Sequence, residues 1–277
     1  MEKLRLMSNN IWWCDSNHEA WEALGADCSA EARVPQLVRL YRELMPDVLG
    51  LQECSAKMAH ILMTLAVQEG LPYGLLWGRN TPILYRRDKF EVIDSQVGIY
   101  PENVPGLEGS FNDLMTKSYS IAVLRSKESG RLLIFASTHL WYKSDGRQPG
   151  SEEAKAWQLG QLISRLDELQ AKYGCGAVVV GDMNTWPIGL AVKTALSRGF
   201  VHGHDVADQA DDTSGMHYCY GDGYRPELNE GGFAKSIDHI LLRNVQGRVR
   251  SYARCLPDYY VPVSDHSPLW VDVELED

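Results

Sequence analysis

The sequence reads VVVGDMN at residues 178–184. Three consecutive valines predict a central strand, because a strand that is covered on both faces is apolar at successive positions. Two polar side chains, Asp182 and Asn184, follow the end of this strand. Residues two apart project to the same side of an extended chain, so both side chains are expected to face one site. The small Gly181 before them is expected to allow a ligand to approach closely.

Several other apolar segments also end with an acid, an amide or an imidazole. The residues at these ends are Asn10, Glu53, His139, Asp238, Asp265 and His266. A carboxylate at the end of a buried strand is destabilised by the loss of water unless it is paired or binds a cation. Converging carboxylates would repel one another, and a hard divalent cation such as Mg²⁺ would relieve that repulsion. The scattered cysteines and histidines disfavour zinc.

Short apolar runs alternate with amphipathic stretches along the chain, which predicts a sheet-rich fold with several helices. The predicted strands are residues 4–9, 47–52, 82–86, 90–99, 119–125, 132–138, 176–181, 236–242 and 269–275. Apolar residues recur at helical spacing in residues 34–44, 58–65, 154–169 and 191–196. Some strands are apolar throughout and others alternate, and two packed sheets with helices outside satisfy both patterns.

The overall composition limits the kind of function. Asp and Glu number 37 against 27 Lys and Arg, and the net charge of −10 argues against strong non-specific binding of duplex DNA. The six cysteines are scattered, as expected for free thiols in a reducing compartment. No signal peptide or apolar run of membrane-spanning length is evident, so we expect a cytoplasmic protein without membrane association. No linker or repeat marks a boundary, and residues 1–277 are interpreted as one domain.

Six short segments, taken in their order along the chain, resemble the endonuclease/exonuclease/phosphatase superfamily of DNase I-like enzymes. These segments are SNNI at 8–11, PDVLGLQE at 46–53, THL at 138–140, GDMN at 181–184, IDHI at 237–240 and SDHSP at 264–268. The resemblance extends over nearly the whole chain. It implies an α+β fold, a four-layered α/β/β/α sandwich of two mixed sheets with the site at one end.

The same resemblance implies a metal site. Asn10 and Glu53 are similar to the metal-binding pair of the family, and Asp265 to a further ligand or a neighbour of the ligands. Mg²⁺ is the expected cofactor, with Mn²⁺ as the alternative.

Catalytic roles are implied as well. Asp182 is similar to the residue that orients or deprotonates the attacking water, and Asn184 to a stabiliser of the transition state. Asp238 would fix the tautomer of His266, which then contacts the phosphoryl oxygen or shares the role of base. His139 resembles a histidine that contacts phosphate or assists the leaving group.

Three tryptophans, Trp12, Trp141 and Trp186, each lie two residues beyond a proposed site residue. If the chain stays extended past the strand ends, their rings edge the cleft and can stack on a base, a sugar or an apolar leaving group. The alternative is that the rings pack the loops against the sheets. Asn80 and His217 are further substrate-binding candidates, each with a structural or merely exposed role as the alternative. Lys117 is a candidate for binding phosphate, with a structural role as the alternative.

The leading interpretation is a divalent-metal-dependent phosphoester hydrolase, a phosphodiesterase or phosphatase that directs water in line at phosphorus. The acidic charge favours a small molecule or a single-stranded nucleic acid as substrate. One alternative is an endo- or exonuclease acting on DNA or RNA, for which steep salt dependence of binding would be diagnostic. A second alternative, from another class, is a non-catalytic binding module that retains the fold.

Overall fold

A computed structural model describes residues 1–14, 18–211, 219–220, 223–224, 232–254, 257–260 and 263–276. The strands are β1 (Lys3–Asn10), β2 (Val48–Gln52), β3 (Tyr73–Leu76), β4 (Ile83–Arg86), β5 (Phe90–Ile99), β6 (Ser118–Ser126), β7 (Leu132–His139), β8 (Gly176–Asp182), β9 (Val201–His202), β10 (Gln209–Ala210), β11 (Cys219–Tyr220), β12 (Gly223–Tyr224), β13 (Asp238–Arg243), β14 (Gly247–Arg254) and β15 (Leu269–Leu275). The helices are α1 (Glu19–Glu22), α2 (Ala30–Leu44), α3 (Ala56–Gln68), α4 (Ser151–Tyr173), α5 (Leu190–Ser197) and α6 (Gly203–Val206).

Local sequence signals set the ends of the main helices. Ser29 and Ser55 cap α2 and α3, each accepting a hydrogen bond on Oγ from a backbone N–H in the first turn. At the C-terminal end of α4, Gly174 adopts a left-handed φ of 63° and terminates the helix. α2 ends at Leu44, and its C-cap Met45 directly precedes Pro46. The Ser55 cap begins α3 shortly after the end of β2, so the short connection that carries Glu53 lies at that end of the strand.

The strands form two mixed sheets. The first has the order β10-β14-β15-β1-β2-β4-β3, and the second has the order β5-β6-β7-β8-β13-β9. β1 and β2 are parallel in the first sheet, as are β7 and β8 in the second. β15 pairs with β14 on one side and with β1 on the other, so a strand that is late in the sequence lies inside the first sheet.

Three apolar layers hold the sheets and helices together. Leu6 and Val48 of the first sheet meet Phe135 and Val180 of the second between the sheets. α2 and α3 cover the outer face of the first sheet, and α4 and α5 cover the outer face of the second. The predicted α+β sandwich with layers α/β/β/α is therefore confirmed. Within the described residues, no helix combines the length and the apolar character needed to cross a membrane.

Two glycines are required where backbones come close. A Cβ on Gly50 would lie 2.5 Å from Val180 Cγ2, so a side chain there would push the two sheets apart. Gly181 has φ 151°, and a Cβ would lie 1.9 Å from the carbonyl oxygen of Thr138 on β7. The expectation that Gly181 makes room for a ligand is therefore corrected, since the neighbouring strand occupies that space.

All nine predicted strands are present, with ends that shift by at most two residues. The sequence analysis missed β14, an eight-residue strand in which a register shift between Val249 and Ser251 interrupts the alternation of buried and outward residues. It also missed the four-residue β3 and the two-residue strands β9 to β12. The outward residues Arg248 and Arg250 of β14 both pair with Asp208, and Arg250 also pairs with Glu274 of β15. These ion pairs stabilise the exposed face of β14.

Candidate active site

Strand register brings the predicted site residues to one end of the sandwich. β1 and β2 run parallel with Asn10 opposite Gln52, so Glu53 follows directly beside Asn10. In the second sheet Asp182 is paired with His139 on one side and with Asp238 on the other. The eight residues expected to carry metal binding and catalysis therefore come from both sheets and gather between them.

Asn10, Glu53 and Asp182 form the centre of the cluster. Asn10 donates from Nδ2 to Asp182 Oδ2 at 3.1 Å and to Glu53 Oε1 at 3.3 Å, while its Oδ1 accepts from the Trp12 N–H. Glu53 Oε2 accepts from the Trp13 N–H at 2.8 Å. The amide of Asn10 thus presents its NH₂ group to the carboxylates. As a metal ligand it would have to turn over, because a cation binds the oxygen.

Asp182 and Asn184 form a tight turn after β8. The Asn184 N–H donates to Asp182 Oδ1 at 2.9 Å, and Asn184 Nδ2 donates to the carbonyl of Leu140 at 3.1 Å. Asn184 has a φ of 50°, so the chain is not extended here, and the expectation of extended backbone is wrong at this residue. The hydrogen bond between the two residues stabilises this turn, and the turn keeps both of them at the end of β8.

His266 is held against Asp238. Its Nδ1 lies 2.8 Å from Asp238 Oδ2, and a carboxylate only accepts, so the proton resides on Nδ1. Nε2 faces the cluster, 3.8 Å from Asp182 Oδ2 and 3.9 Å from Asp265 Oδ1. Burial lowers the pKa of His266, but the carboxylates of Asp238, Asp265 and Asp182 outweigh it and raise the pKa well above its ordinary value.

Two carboxyls of the cluster show the opposite effect of burial. Loss of water raises the pKa of Asp182 to about 7, although the charge of His266 offsets part of the rise. Loss of water likewise raises the pKa of Asp265 to about 6. The charged forms of both acids are therefore destabilised in the absence of a cation, and such shifted pKa values are typical of functional sites.

Lys117 joins the cluster through His139. Its Nζ lies 2.8 Å from His139 Nε2, and His139 Nε2 lies 3.4 Å from Asp182 Oδ2. Burial lowers the pKa of Lys117, and burial together with the charge of Lys117 lowers the pKa of His139 well below its usual range. Sequence reasoning named Lys117 without choosing a role. The structure places its ammonium group beside the site.

The donor set fits a hard divalent cation. Donor atoms of Glu53, His139 and Asp182 lie within 4.8 Å of one another, as do those of Asp182, Asp238 and His266. Asp265 Oδ1 is buried and has no hydrogen-bond partner among the described residues. Carboxylate oxygens dominate this set, and a buried oxygen without a donor is the kind of group that a cation would satisfy.

The substrate-binding candidates are distributed differently from the expectation. Trp12 is 4% exposed and Trp141 is fully buried, whereas Trp186 is 55% exposed. Trp12 has a φ of 60°, which ends the extended geometry on which the expectation rested. The structure thus places Trp12 and Trp141 in the packing of the loops, and only Trp186 of the three at the surface. Asn80 is half-buried, and its carbonyl accepts from Cys54 N–H beside Glu53. His217 lies outside the described residues.

A buried histidine pair lies behind Asp238. His239 Nε2 lies 2.7 Å from the Thr185 carbonyl and must donate to it, so His239 Nδ1 accepts from His202 Nε2 at 2.8 Å. The backbone N–H of His204 donates to His202 Nδ1. Both rings are therefore neutral, and they link the strand of Asp238 to the turn that follows Asn184. Sequence reasoning did not find this pair.

The free energy of unfolding is expected to fall as the pH drops through the range of this pair. Burial lowers the pKa of His239 from 6.5 to about 4, so between these values the unfolded chain binds the proton that the folded protein does not. The contribution of His239 to the free energy of unfolding is complete above pH 6.5 and is lost as the pH falls towards 4. The loss from His239 alone is on the order of 3 kcal/mol. Denaturant unfolding at pH 7.5 and pH 5 measures the loss. His239→Gln keeps a donor and an acceptor without titrating and should reduce it, and an unreduced loss in this variant would contradict the assignment.

Two mixed sheets between outer helices, with acids, amides and histidines at one end, define the DNase I-like fold. The chain belongs to the Endonuclease/Exonuclease/phosphatase family, whose model matches residues 10–266. Members of this family are divalent-metal-dependent hydrolases of phosphoesters. A search of curated proteins gave no significant match.

Solved structures share the fold at low sequence identity. An endonuclease/exonuclease/phosphatase from Bacteroides vulgatus is 21% identical over 100% of both chains, with a TM-score of 0.76. A mannosyl-6-phosphatase from Bacteroides thetaiotaomicron is 19% identical over 98% of this chain and 100% of that chain, with a TM-score of 0.74. TDP2 from D. rerio, complexed with single strand DNA product, is 17% identical over 99% of this chain and 100% of that chain, with a TM-score of 0.70. At these identities the likeness establishes the fold.

Proposed function

We propose that this protein, as a single domain, hydrolyses a phosphoester with the help of a divalent cation, Mg²⁺ or Mn²⁺. The observation that carries the proposal is the convergence of Glu53 and His139 with Asp182, and of Asp182 with the His266–Asp238 pair, at one end of the sandwich. Asp265 Oδ1 lies 3.9 Å from His266 Nε2 in the same cluster. Three carboxylates in so small a volume favour a cation, and a histidine oriented by an acid favours proton transfer. A binding module would have no need of this set.

The bound cation supplies positive charge that stabilises the phosphoryl oxygens in the transition state. Glu53 is the principal ligand in this proposal, with Asp265 beside it and Asn10 contributing its oxygen if the amide turns. We assign the cation to this position because Glu53 Oε1 lies 3.9 Å from His139 Nε2 and Asp265 Oδ1 lies 3.9 Å from His266 Nε2, so each acid is next to a histidine of the site.

Asp182 orients the water that attacks phosphorus. Its Oδ1 is fixed by the Asn184 N–H, and its Oδ2 accepts from Asn10 Nδ2. The second lone pair of Oδ2 is the proposed acceptor of a hydrogen bond from water and then of its proton. The phosphorus–oxygen bond opposite the water breaks, the leaving oxygen takes up a proton from solvent water, and Asp182 returns the proton it accepted to solvent. His266, oriented by Asp238, binds the phosphoryl oxygen through Nε2 or shares the role of base, and its raised pKa favours the first role, in which the charged ring donates. His139 contacts the phosphate or assists the leaving group.

Small phosphoesters and single-stranded nucleic acids are the proposed substrates. The net charge of −10 opposes non-specific binding to duplex DNA. A sugar phosphatase and a TDP2 complexed with single strand DNA are among the structures of similar fold, which is consistent with both classes. A nuclease that acts on DNA or RNA remains the second candidate, because it would use the same catalytic residues. The proposed location is the cytoplasm.

A substrate panel tests the proposal. Sugar phosphates, inositol phosphates, phospholipid headgroup esters, single-stranded DNA and RNA are incubated with the protein and Mg²⁺ or Mn²⁺, and released phosphate or cleaved product is measured. Hydrolysis of at least one class, abolished by EDTA and restored by excess Mg²⁺, is expected. Hydrolysis that survives EDTA, or none in the whole panel together with no metal binding, would refute the proposed function.

Trp186 is predicted to contact the substrate. Its ring is exposed two residues beyond Asn184, and stacking on an aromatic or sugar group is worth about 1 kcal/mol or more. Trp186→Ser is therefore expected to raise KM about fivefold for a substrate with such a group, with kcat and the thermal midpoint nearly unchanged. Val67→Ser, which alters an exposed side chain on α3, is the matched control. An unchanged KM for every cleaved substrate would show that Trp186 makes no such contact.

A further inference from the structure

Arg33 on α2 is a buried cation that bonds to backbone carbonyls. Its side chain is 1% exposed, and among the described residues no carboxylate forms an ion pair with it. Nε donates to the carbonyl of Cys28 at 2.8 Å. Nη1 donates to the carbonyls of Ile11 at 3.0 Å and Val263 at 2.9 Å, and Nη2 donates to that of Trp12 at 2.9 Å. One guanidinium group thus ties together two loops that are more than 200 residues apart in sequence.

The first of these loops contacts the side chains of Asn10 and Glu53 and orients Glu53 as a proposed metal ligand. It follows β1, and the carbonyls of Ile11 and Trp12 that Arg33 holds belong to it. The Trp12 N–H donates to Asn10 Oδ1, and the Trp13 N–H donates to Glu53 Oε2. Trp12 adopts a left-handed φ of 60°, which costs free energy in a bulky residue. The bonds from Arg33 stabilise this conformation, and that conformation aims the two N–H groups.

The second loop carries Asp265 and His266. Arg33 holds the carbonyl of Val263, and the next residue, Ser264, donates from Oγ to the carbonyl of Asn10 at 2.7 Å. The same Oγ accepts from the His266 N–H at 3.1 Å. Displacement of Val263 would therefore be transmitted directly to the backbone of His266.

We propose that Arg33 is a positioning residue for the cation site, holding the side chain of Glu53 and the segment of Asp265 in one arrangement. The proposal rests on the proposed function, since it concerns the cation of that site. A planar fork with several donors is needed to reach carbonyls of both loops, and the single ammonium group of a lysine cannot reproduce it. Residues that orient metal ligands typically change metal affinity by 10- to 100-fold when they are replaced.

The test compares Arg33→Lys with Arg243→Lys. Arg243 is another buried arginine, but it bonds to Gln170, Asp167 and the Arg198 carbonyl at the other end of β13. Mn²⁺ binding is measured by calorimetry, and the thermal midpoint is measured without metal. Arg33→Lys is expected to weaken Mn²⁺ binding, with a Kd at least 10-fold higher than that of the wild type. Arg243→Lys is expected to lower the thermal midpoint and leave the Kd within twofold of the wild type.

An unchanged Kd in folded Arg33→Lys would overturn the inference, whatever its thermal midpoint. If this variant does not fold, Ser264→Ala provides the test, because it removes the hydroxyl through which the Val263 segment, held by Arg33, reaches Asn10 and His266. Ser264→Ala is expected to weaken Mn²⁺ binding about threefold or more, and unchanged binding would again overturn the inference. Absence of Mn²⁺ binding by the wild type would instead refute the proposed function itself.

Discussion

Asp182→Asn is expected to lower kcat by about 10³-fold while it raises the thermal stability of the metal-free protein. The loss of activity follows because asparagine keeps the shape of the side chain but cannot accept the proton of the attacking water, and general bases contribute about 10² to 10⁴ to the rate. The bond from the Asn184 N–H is retained, since asparagine also offers an acceptor oxygen. The turn is therefore preserved in the variant, while the bond from Asn10 Nδ2 to Oδ2 of this residue is lost.

The gain in stability follows from the pKa. Burial raises the pKa of Asp182 from 3.8 to about 7, so the folded protein binds a proton that the unfolded chain releases. The free energy of unfolding therefore falls as the pH rises from about 4 to 7, by at most about 4 kcal/mol from this group. Asparagine carries no charge and avoids that loss at pH 8.

Steady-state rates and thermal unfolding in EDTA at pH 8 measure the two effects. Asp208→Asn is the control, because Asp208 is an exposed partner of Arg248 and Arg250 outside the site. This control should leave kcat unchanged and should not raise the thermal midpoint. A variant Asp182→Asn with wild-type kcat would remove Asp182 from the mechanism, and a lowered midpoint would show that the buried charge is not destabilising.

Glu53→Gln is expected to abolish detectable metal binding and to lower kcat/KM by at least about 10³-fold. The variant replaces the principal carboxylate ligand by a neutral amide, and a hard divalent cation depends on charged oxygen ligands. The amide oxygen can still accept from the Trp13 N–H, so the loop after β1 is expected to stay in place. Folding should therefore be retained while the cation is lost.

Calorimetric titration with Mn²⁺ separates the roles of Glu53 and Asp182. Glu53→Gln should show no binding, whereas Asp182→Asn should bind Mn²⁺ within about 10-fold of the wild type. Glu69→Gln, at an exposed acid that pairs with Arg42, is the control and should bind normally. Wild-type affinity in Glu53→Gln would place the cation elsewhere in the cluster.

The sandwich and the convergence of the site residues could be predicted because both depend on local patterns. Buried strands show apolar runs, and polar residues after adjacent parallel strands meet at one end of a sheet. His139 and Asp182 are neighbours for this reason, and so are Asn10 and Glu53. The roles of these residues in binding and catalysis are still proposals.

The features that escaped prediction depend on contacts between distant parts of the chain. The left-handed conformation of Trp12 ends the extended course of the chain after β1, and no feature of the local sequence predicts it. Arg33 lies in the amphipathic α2, four residues before the buried Leu37, and this position on the apolar face was the one available sign of its burial. The pairing of His239 with His202 arises only when β13 and β9 lie side by side.

The placement of β15 inside the first sheet bears on how the protein is made on the ribosome. β1 emerges early, but its partner on one side lies more than 250 residues later in the sequence. Until that partner arrives, β1 keeps one edge with unsatisfied backbone groups, which can pair with other chains. Asp265 and His266 emerge just before the same strand. Chaperone dependence of the nascent chain should therefore end at the step at which the active site becomes complete, and earlier truncations should be both inactive and prone to aggregate.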